Sequence, residues 1–168
     1  RIMDQTTNYR LLPNMEDHEC FGCGPANPSG LQMKFYTDEA SVFSWVTVPP
    51  HLCGWSRLVH GGVLSTMLDE IMSRSVIYLL KRLGLTRRME VEFLRPVFIG
   101  KELKVEGKVR EVANDREVRA EGFVYDEEGR VCARSNGSFI LFSTDRMRQM
   151  GVADSGILDW FDRMSGKI

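Results

Sequence analysis

Between Gly62 and Leu83 apolar side chains recur too often for one narrow stripe: Val63, Leu64, Met67, Leu68, Ile71, Met72, Val76, Tyr78, Leu79 and Leu80. A helix that is apolar around most of its girth is stable only when it is buried on several sides. The rest of the chain must therefore surround it. Lys81 and Arg82 in the last turn, followed by Gly84, supply the cations and the glycine expected at a helix end.

What can do the surrounding is legible from period-two alternation. "LQMKFYTD" and "SVFSWVTV", separated by a short turn at "TDEA", read as an antiparallel hairpin. "PPHLCGW" is irregular, because Pro49 and Pro50 lack the amide donors that a ladder requires. After the helix, residues 86–97, 101–113, 116–126 and 130–142 alternate, with "IGK", "ND" and "EEG" as turn chemistry between them, and so predict an antiparallel meander. The expected fold class is α+β: an antiparallel sheet of about six strands curled around one long central helix. "GILDWFDRM" has helical spacing and predicts a short terminal helix that packs on the domain or on a partner subunit. At 168 residues one domain is expected. It divides into an N-terminal segment and loop (1–30), the sheet-and-helix body (31–142) and a helical tail (143–168).

Composition narrows the partners. A formal net charge of -1 leaves no basic surplus to neutralise a nucleic-acid backbone, so nucleic acid is not an expected partner. Neither an apolar signal-peptide core nor a run of about 18 apolar residues is present, so the reading is a cytoplasmic protein without membrane contact. The chain opens on Arg1 rather than Met, which leaves a preceding segment open. Cys20, Cys23, Cys53 and Cys132 are too few for a disulfide framework and read as free thiols. Cys20 and Cys23 form a CxxC with His18 just before it. A structural zinc site needs further ligands, and Cys53 and Cys132 lie far off in sequence, so no metal and no cofactor are expected.

The helix opens as "VHGGVLSTMLDEIM", residues 59–72. His60-Gly61-Gly62 with an acid nine residues after the His, on an apolar helix between two strands and four, resembles the hotdog-fold acyl-CoA thioesterases of the phenylacetate-pathway type. The resemblance spans residues 20–142 and includes "CFGCGPANPSGL", which is similar to the N-terminal loop of several members. It implies a hotdog fold, an acyl-CoA substrate, and a homodimer or dimer of dimers with sheets joined edge to edge and active sites between subunits. A partner would also cover the open sheet edges.

Thioester hydrolysis needs a polarised carbonyl and a carboxylate that attacks it or activates water. The first N–H groups of a helix have no internal partner and sit at its positive end, which suits an oxyanion hole. Gly61 and Gly62 allow close backbone approach, and Gly62 N–H is the expected main donor. Asp69 lies seven residues beyond Gly62, about two turns along nearly the same helix face, and is assigned as nucleophile or general base. Glu70 is expected to pair with Arg74 at i,i+4. His60 either caps the helix or hydrogen-bonds near the thioester, and the resemblance aligns Thr86 with a Ser or Thr that positions the water. Some relatives carry an Asn or Gln before the His-Gly-Gly. Here "CGWSRLV" has no amide side chain, and Ser56 is the nearest substitute. Arg57, Arg87, Arg88, Lys81 and Arg82 are candidates for CoA phosphates. Trp55, Trp45 and Phe21 are candidates for an acyl pocket. A hotdog hydratase or dehydratase using His60 with Asp69, and a non-catalytic acyl-CoA-binding protein, are the competing functions.

Overall fold

The computed structural model describes residues 8–167. Its elements in chain order are β1 (Arg10–Leu11), β2 (Tyr36–Thr37), β3 (Val42–Thr47), α1 (Gly61–Leu80), β4 (Leu83–Phe93), β5 (Glu102–Asn114), β6 (Glu117–Tyr125), β7 (Val131–Phe142), α2 (Thr144–Met150) and α3 (Ser155–Met164). One antiparallel sheet of seven strands, in the order β1-β2-β3-β5-β6-β7-β4, packs around α1.

Three expectations need correction. The 31–38 strand shrinks to Tyr36–Thr37, because Leu31 and Met33 spend their amides on Phe21 and Gly22 carbonyls of the N-terminal loop. The helix ends earlier: Lys81 is its C-cap in the left-handed region (φ 54°), and Gly84 already belongs to β4. The four strands after the helix are not a simple meander. β5, β6 and β7 are, but β4 pairs with β7, so it lies at the opposite end of that set from β5 and forms the sheet's outer edge. Trp45 joins Tyr9, Tyr36 and Phe43 in an aromatic cluster.

The helix can lie close to the sheet because small residues face it. Gly107 on β5 pairs with Gly122 on β6, and a Cβ at Gly107 would fall 2.5 Å from the Ile71 carbonyl oxygen. At Gly122 the same addition would press on Ile71 and Leu68 at 3.2 Å. Met67, Leu68, Ile71 and Met72 are fully buried against these strands. In the tail, α3 buries Leu158 and Phe161, and Arg148 of α2 binds Asp159 and Asp162 of α3 at 2.8 and 3.0 Å. The α2 helix was not anticipated; Ser143 caps it by accepting from Arg146 N–H. Among the described residues no helix is long and apolar enough to cross a membrane.

Candidate active site

His60 is the N-cap of α1. Its backbone is extended (φ -61°, ψ 137°), and its Nδ1 accepts the Gly62 amide at 2.9 Å. A lone pair on Nδ1 is thereby used, which puts a neutral ring's proton on Nε2. This corrects the expected donor: Gly62 N–H is already satisfied within the chain. Gly61 N–H has no acceptor among the described residues and is the free amide at the helix's positive end.

That amide opens on a cleft of about 320 Å³ lined by apolar groups including Leu58, Val59, Leu64, Phe93 and Leu94. A Cβ on Gly61 would sit 3.6 Å from the Phe93 ring, an ordinary contact. Phe93 comes from the far end of β4 and was not singled out by any sequence motif. Only the pairing of β4 with β7 turns it towards the helix start.

Asp69 is half-buried on α1, and Thr86 Oγ1 donates to its Oδ1 at 2.6 Å. Thr86 is the fourth residue of β4 rather than its opening residue. The register shifts just after it: Thr86 pairs with Phe139 and Arg88 with Ser138, and Thr86 stays exposed on the edge strand while its hydroxyl reaches Asp69. Burial raises the Asp69 pKa above the ordinary carboxylate value, the Thr86 hydrogen bond opposes that shift, and the neighbouring Glu70 adds to it.

The expected binding residues scatter. Trp55 is 85% exposed, and Ser56, at φ 47°, shares its loop before α1. Arg57 holds that loop by accepting the Ile99 amide on its carbonyl. Arg87 pairs with Glu117 at 3.6 Å, and with Arg88 it lines a charged groove of about 640 Å³ that shares no lining residue with the cleft at Gly61. Lys81 and Arg82 stand at the other end of α1, about 30 Å from Gly61 for a 20-residue helix. Arg82 is spent on the Asp115 carbonyl. The structure thus gathers His60, Gly61 and Gly62 at one end of α1 and Asp69 with Thr86 further along, and it does not bring the arginines to either.

A second cluster adjoins the first. Glu70 turns away from Asp69 towards the N-terminal loop, where the CxxC cysteines reach it: Cys20 Sγ donates to Glu70 Oε1 at 3.3 Å. Its i,i+4 pairing with Arg74 is present at 3.9 Å. Glu70 as a neighbour of the cysteines was missed, because 50 residues separate them and no local pattern links them.

Comparison with known proteins agrees with this architecture. Residues 57–133, from the loop before α1 into β7, match the family model described as the thioesterase superfamily. Among solved structures, the thioesterase superfamily protein RHA08564 superposes with a TM-score of 0.68 at 25% identity, covering 73% of this chain and 60% of that one. The Escherichia coli PaaI protein from the phenylacetic acid degradation operon gives 0.61 at 18% identity, with 67% and 80% covered. Protein smu.793 of Streptococcus mutans, bound to acetyl CoA, gives 0.56 at 14% identity, with 61% and 82% covered. The chain spans about half (53%) of a curated relative, an uncharacterized protein of Schizosaccharomyces pombe, to which it is 29% identical over a 97-position alignment, with 53% of this chain covered. Residues 57–133 thus resemble the thioesterase superfamily, and the chain has the hotdog fold of these solved structures.

Proposed function

We propose that this protein hydrolyses an acyl-CoA thioester, with Asp69 as the base and Gly61 N–H as the oxyanion donor. The observation that carries the reading is the Asp69–Thr86 pair: a half-buried carboxylate with one oxygen held by a hydroxyl, on the helix whose start presents a free amide to an apolar cleft. The acetyl CoA bound to the S. mutans protein of the same fold supports coenzyme A as the carrier.

The two groups belong to different copies of the chain. Eight residues of helix separate Gly61 from Asp69, about 12 Å of rise. A reacting carbonyl must lie about 3 Å from both its oxyanion donor and its nucleophile, so one chain cannot supply both to one substrate. Among the described residues the side of β4 away from β7 is unpaired over an eleven-residue strand bearing exposed Leu85 and Phe93, the kind of edge a second copy covers. In the resulting dimer, Gly61 of one subunit faces Asp69 of the other.

The reaction then runs as follows. Asp69 takes a proton from water, and the hydroxide attacks the thioester carbonyl carbon. The oxyanion of the tetrahedral intermediate accepts Gly61 N–H. The C–S bond breaks, and the CoA sulfur leaves with the proton held by Asp69, giving free acid and thiol. Thr86 occupies Oδ1 and leaves Oδ2 for the water. Because His60 Nδ1 is committed to the Gly62 amide, that nitrogen is not free for the acid–base role a hydratase would require.

The test is thiol release from a panel of aromatic, short-chain and medium-chain acyl-CoAs by wild type and by Asp69→Asn. Turnover that is lost in the variant supports hydrolysis. Tight CoA binding with no turnover on any substrate supports a binding protein instead.

A further inference from the structure

The N-terminal loop holds a cluster that thioester hydrolysis does not use. The sulfurs of Cys20 and Cys23 and a carboxylate oxygen of Glu70 all lie within 4.8 Å of one another. Cys23 is fully buried, and Nδ1 of the preceding His18 stands 4.0 Å from its sulfur. In a tetrahedral zinc site, bond lengths of about 2.0–2.3 Å put neighbouring ligand atoms roughly 3.3–3.8 Å apart. Three donors, from Cys20, Cys23 and Glu70, are already grouped near that spacing; His18 Nδ1, 4.0 Å from Cys23 Sγ, stands outside the group and must swing inward to join it.

The surroundings are built to hold the donors there. Gly24 N–H donates to the Cys20 carbonyl at 2.9 Å and Ala26 N–H to the His18 carbonyl at 3.1 Å, folding the loop back on itself. Asn14 Nδ2 donates to the Cys23 carbonyl at 2.8 Å. Gly22 lets the loop lie directly on Glu70, since a Cβ there would come within 2.3 Å of Glu70 Cγ. Arg74, itself buried, points Nη2 at Cys23 Sγ at 2.7 Å and stacks on the Phe35 ring.

Charge completes the argument. Two thiolates and a carboxylate around a divalent cation sum to one negative charge, and the buried Arg74 guanidinium supplies the single positive charge that balances it. An N–H donor to a ligating sulfur is also a common outer partner in metal sites. A metal-free dithiol has no comparable need for a buried guanidinium on its sulfur.

We propose that Cys20, Cys23 and Glu70, with His18 as the fourth donor, bind one zinc ion that clips the N-terminal loop to α1. Binding releases the two thiol protons to solvent and transfers no electrons. The clip secures α1 at the residue next to Asp69, so the loop and the candidate active site share one helix turn.

The experiment uses the full chain purified under reducing conditions. Zinc is measured by mass spectrometry of the metal, and the chelator-treated protein is titrated with cobalt(II). The expected result is about one zinc per chain and, with cobalt, a thiolate-to-metal charge-transfer band with tetrahedral visible absorption. Cys23→Ser abolishes the charge-transfer intensity from that sulfur, and Glu70→Gln, nearly isosteric, weakens cobalt binding by about tenfold or more. Circular dichroism establishes that each variant is folded, and the wild-type titration decides the matter if either is not. No stoichiometric zinc and no cobalt band overturn the proposal. A Cys20–Cys23 disulfide formed on exposure to oxidised glutathione by a protein that takes up no metal overturns it in favour of a redox pair.

Discussion

Thr86 Oγ1 and Asp69 Oδ1 are joined by a 2.6 Å hydrogen bond that runs from the edge strand β4 to the middle of the buried helix α1. Hydrogen bonds to charged groups are worth about 1.5–3 kcal/mol, and about 1.4 kcal/mol is a factor of ten in rate. Thr86→Val should therefore lower kcat by roughly ten- to a hundredfold with KM little changed, and Thr86→Ser should restore most of it. Steady-state kinetics on the best acyl-CoA decides this. Full activity in the Val variant would remove Thr86 from the site.

Burial raises the Asp69 pKa, and two consequences differ in sign. The carboxylate is the working form, so the acid limb of kcat/KM should lie above the usual carboxylate range. For stability, the folded chain binds this proton more tightly than the unfolded chain does. Stability is thus lost as pH rises from the unfolded value through the raised folded value, and it stays lower above that. Asp69→Asn removes this cost, so the variant should be inactive yet melt higher than wild type near neutral pH, with the gap closing in acid. A lower melting temperature across the whole range would contradict the assignment.

Gly61 occupies the first helical position, where proline is well tolerated because its missing N–H is not needed by the helix. The extended backbone of His60 is also compatible with a following proline. Gly61→Pro therefore deletes the proposed donor and little else. The protein should fold and dimerise, with kcat reduced by about 10²–10³. Unchanged kcat would mean that the oxyanion is held elsewhere.

The same two variants test the shared site. When Gly61→Pro and Asp69→Asn chains are co-expressed, half the dimers are mixed and each mixed dimer has one intact site. About a quarter of wild-type activity should return. No recovery from folded mixed dimers would place donor and base in the same chain. Phe93→Arg, at the exposed end of β4 (55% accessible), should shift the species seen by analytical ultracentrifugation towards monomer.

His60 accepts the Gly62 amide and is a cap in the ordinary sense. His60→Ala should cost about 1 kcal/mol of stability, within the 0.5–2 kcal/mol range of such losses, and His60→Asn should recover much of it. Chemical denaturation measures both. A loss well beyond that range would show that the ring does more than cap.

The residues that identify this chain are local and were readable as such. His60, Gly61 and Asp69 lie within ten positions on one helix, and helical geometry relates their directions without reference to anything else. The alternating runs announced β3, β5, β6 and β7 because a half-buried strand imposes a period of two wherever it sits. Failures began where a second segment decides. Residues 31–35 alternate like a strand, yet their amides pair with the loop at Phe21 and Gly22. One miss was local: Gly62 reads as a free donor until the ring of His60, two residues before it, is seen to occupy it.

Periodicity reports which side of an element is buried and not what it is buried against. The sequence by itself determined a helix that must be enclosed, strands able to enclose it, and an acid two turns or so beyond a glycine-rich start. Only the tertiary structure decided that β4 lies at the outer edge beside β7, that Phe93 meets Gly61, and that Glu70 meets Cys20 across 50 residues. Those contacts depend on strand order and loop path, which are settled by packing free energy summed over the whole chain rather than by the preferences of any one segment.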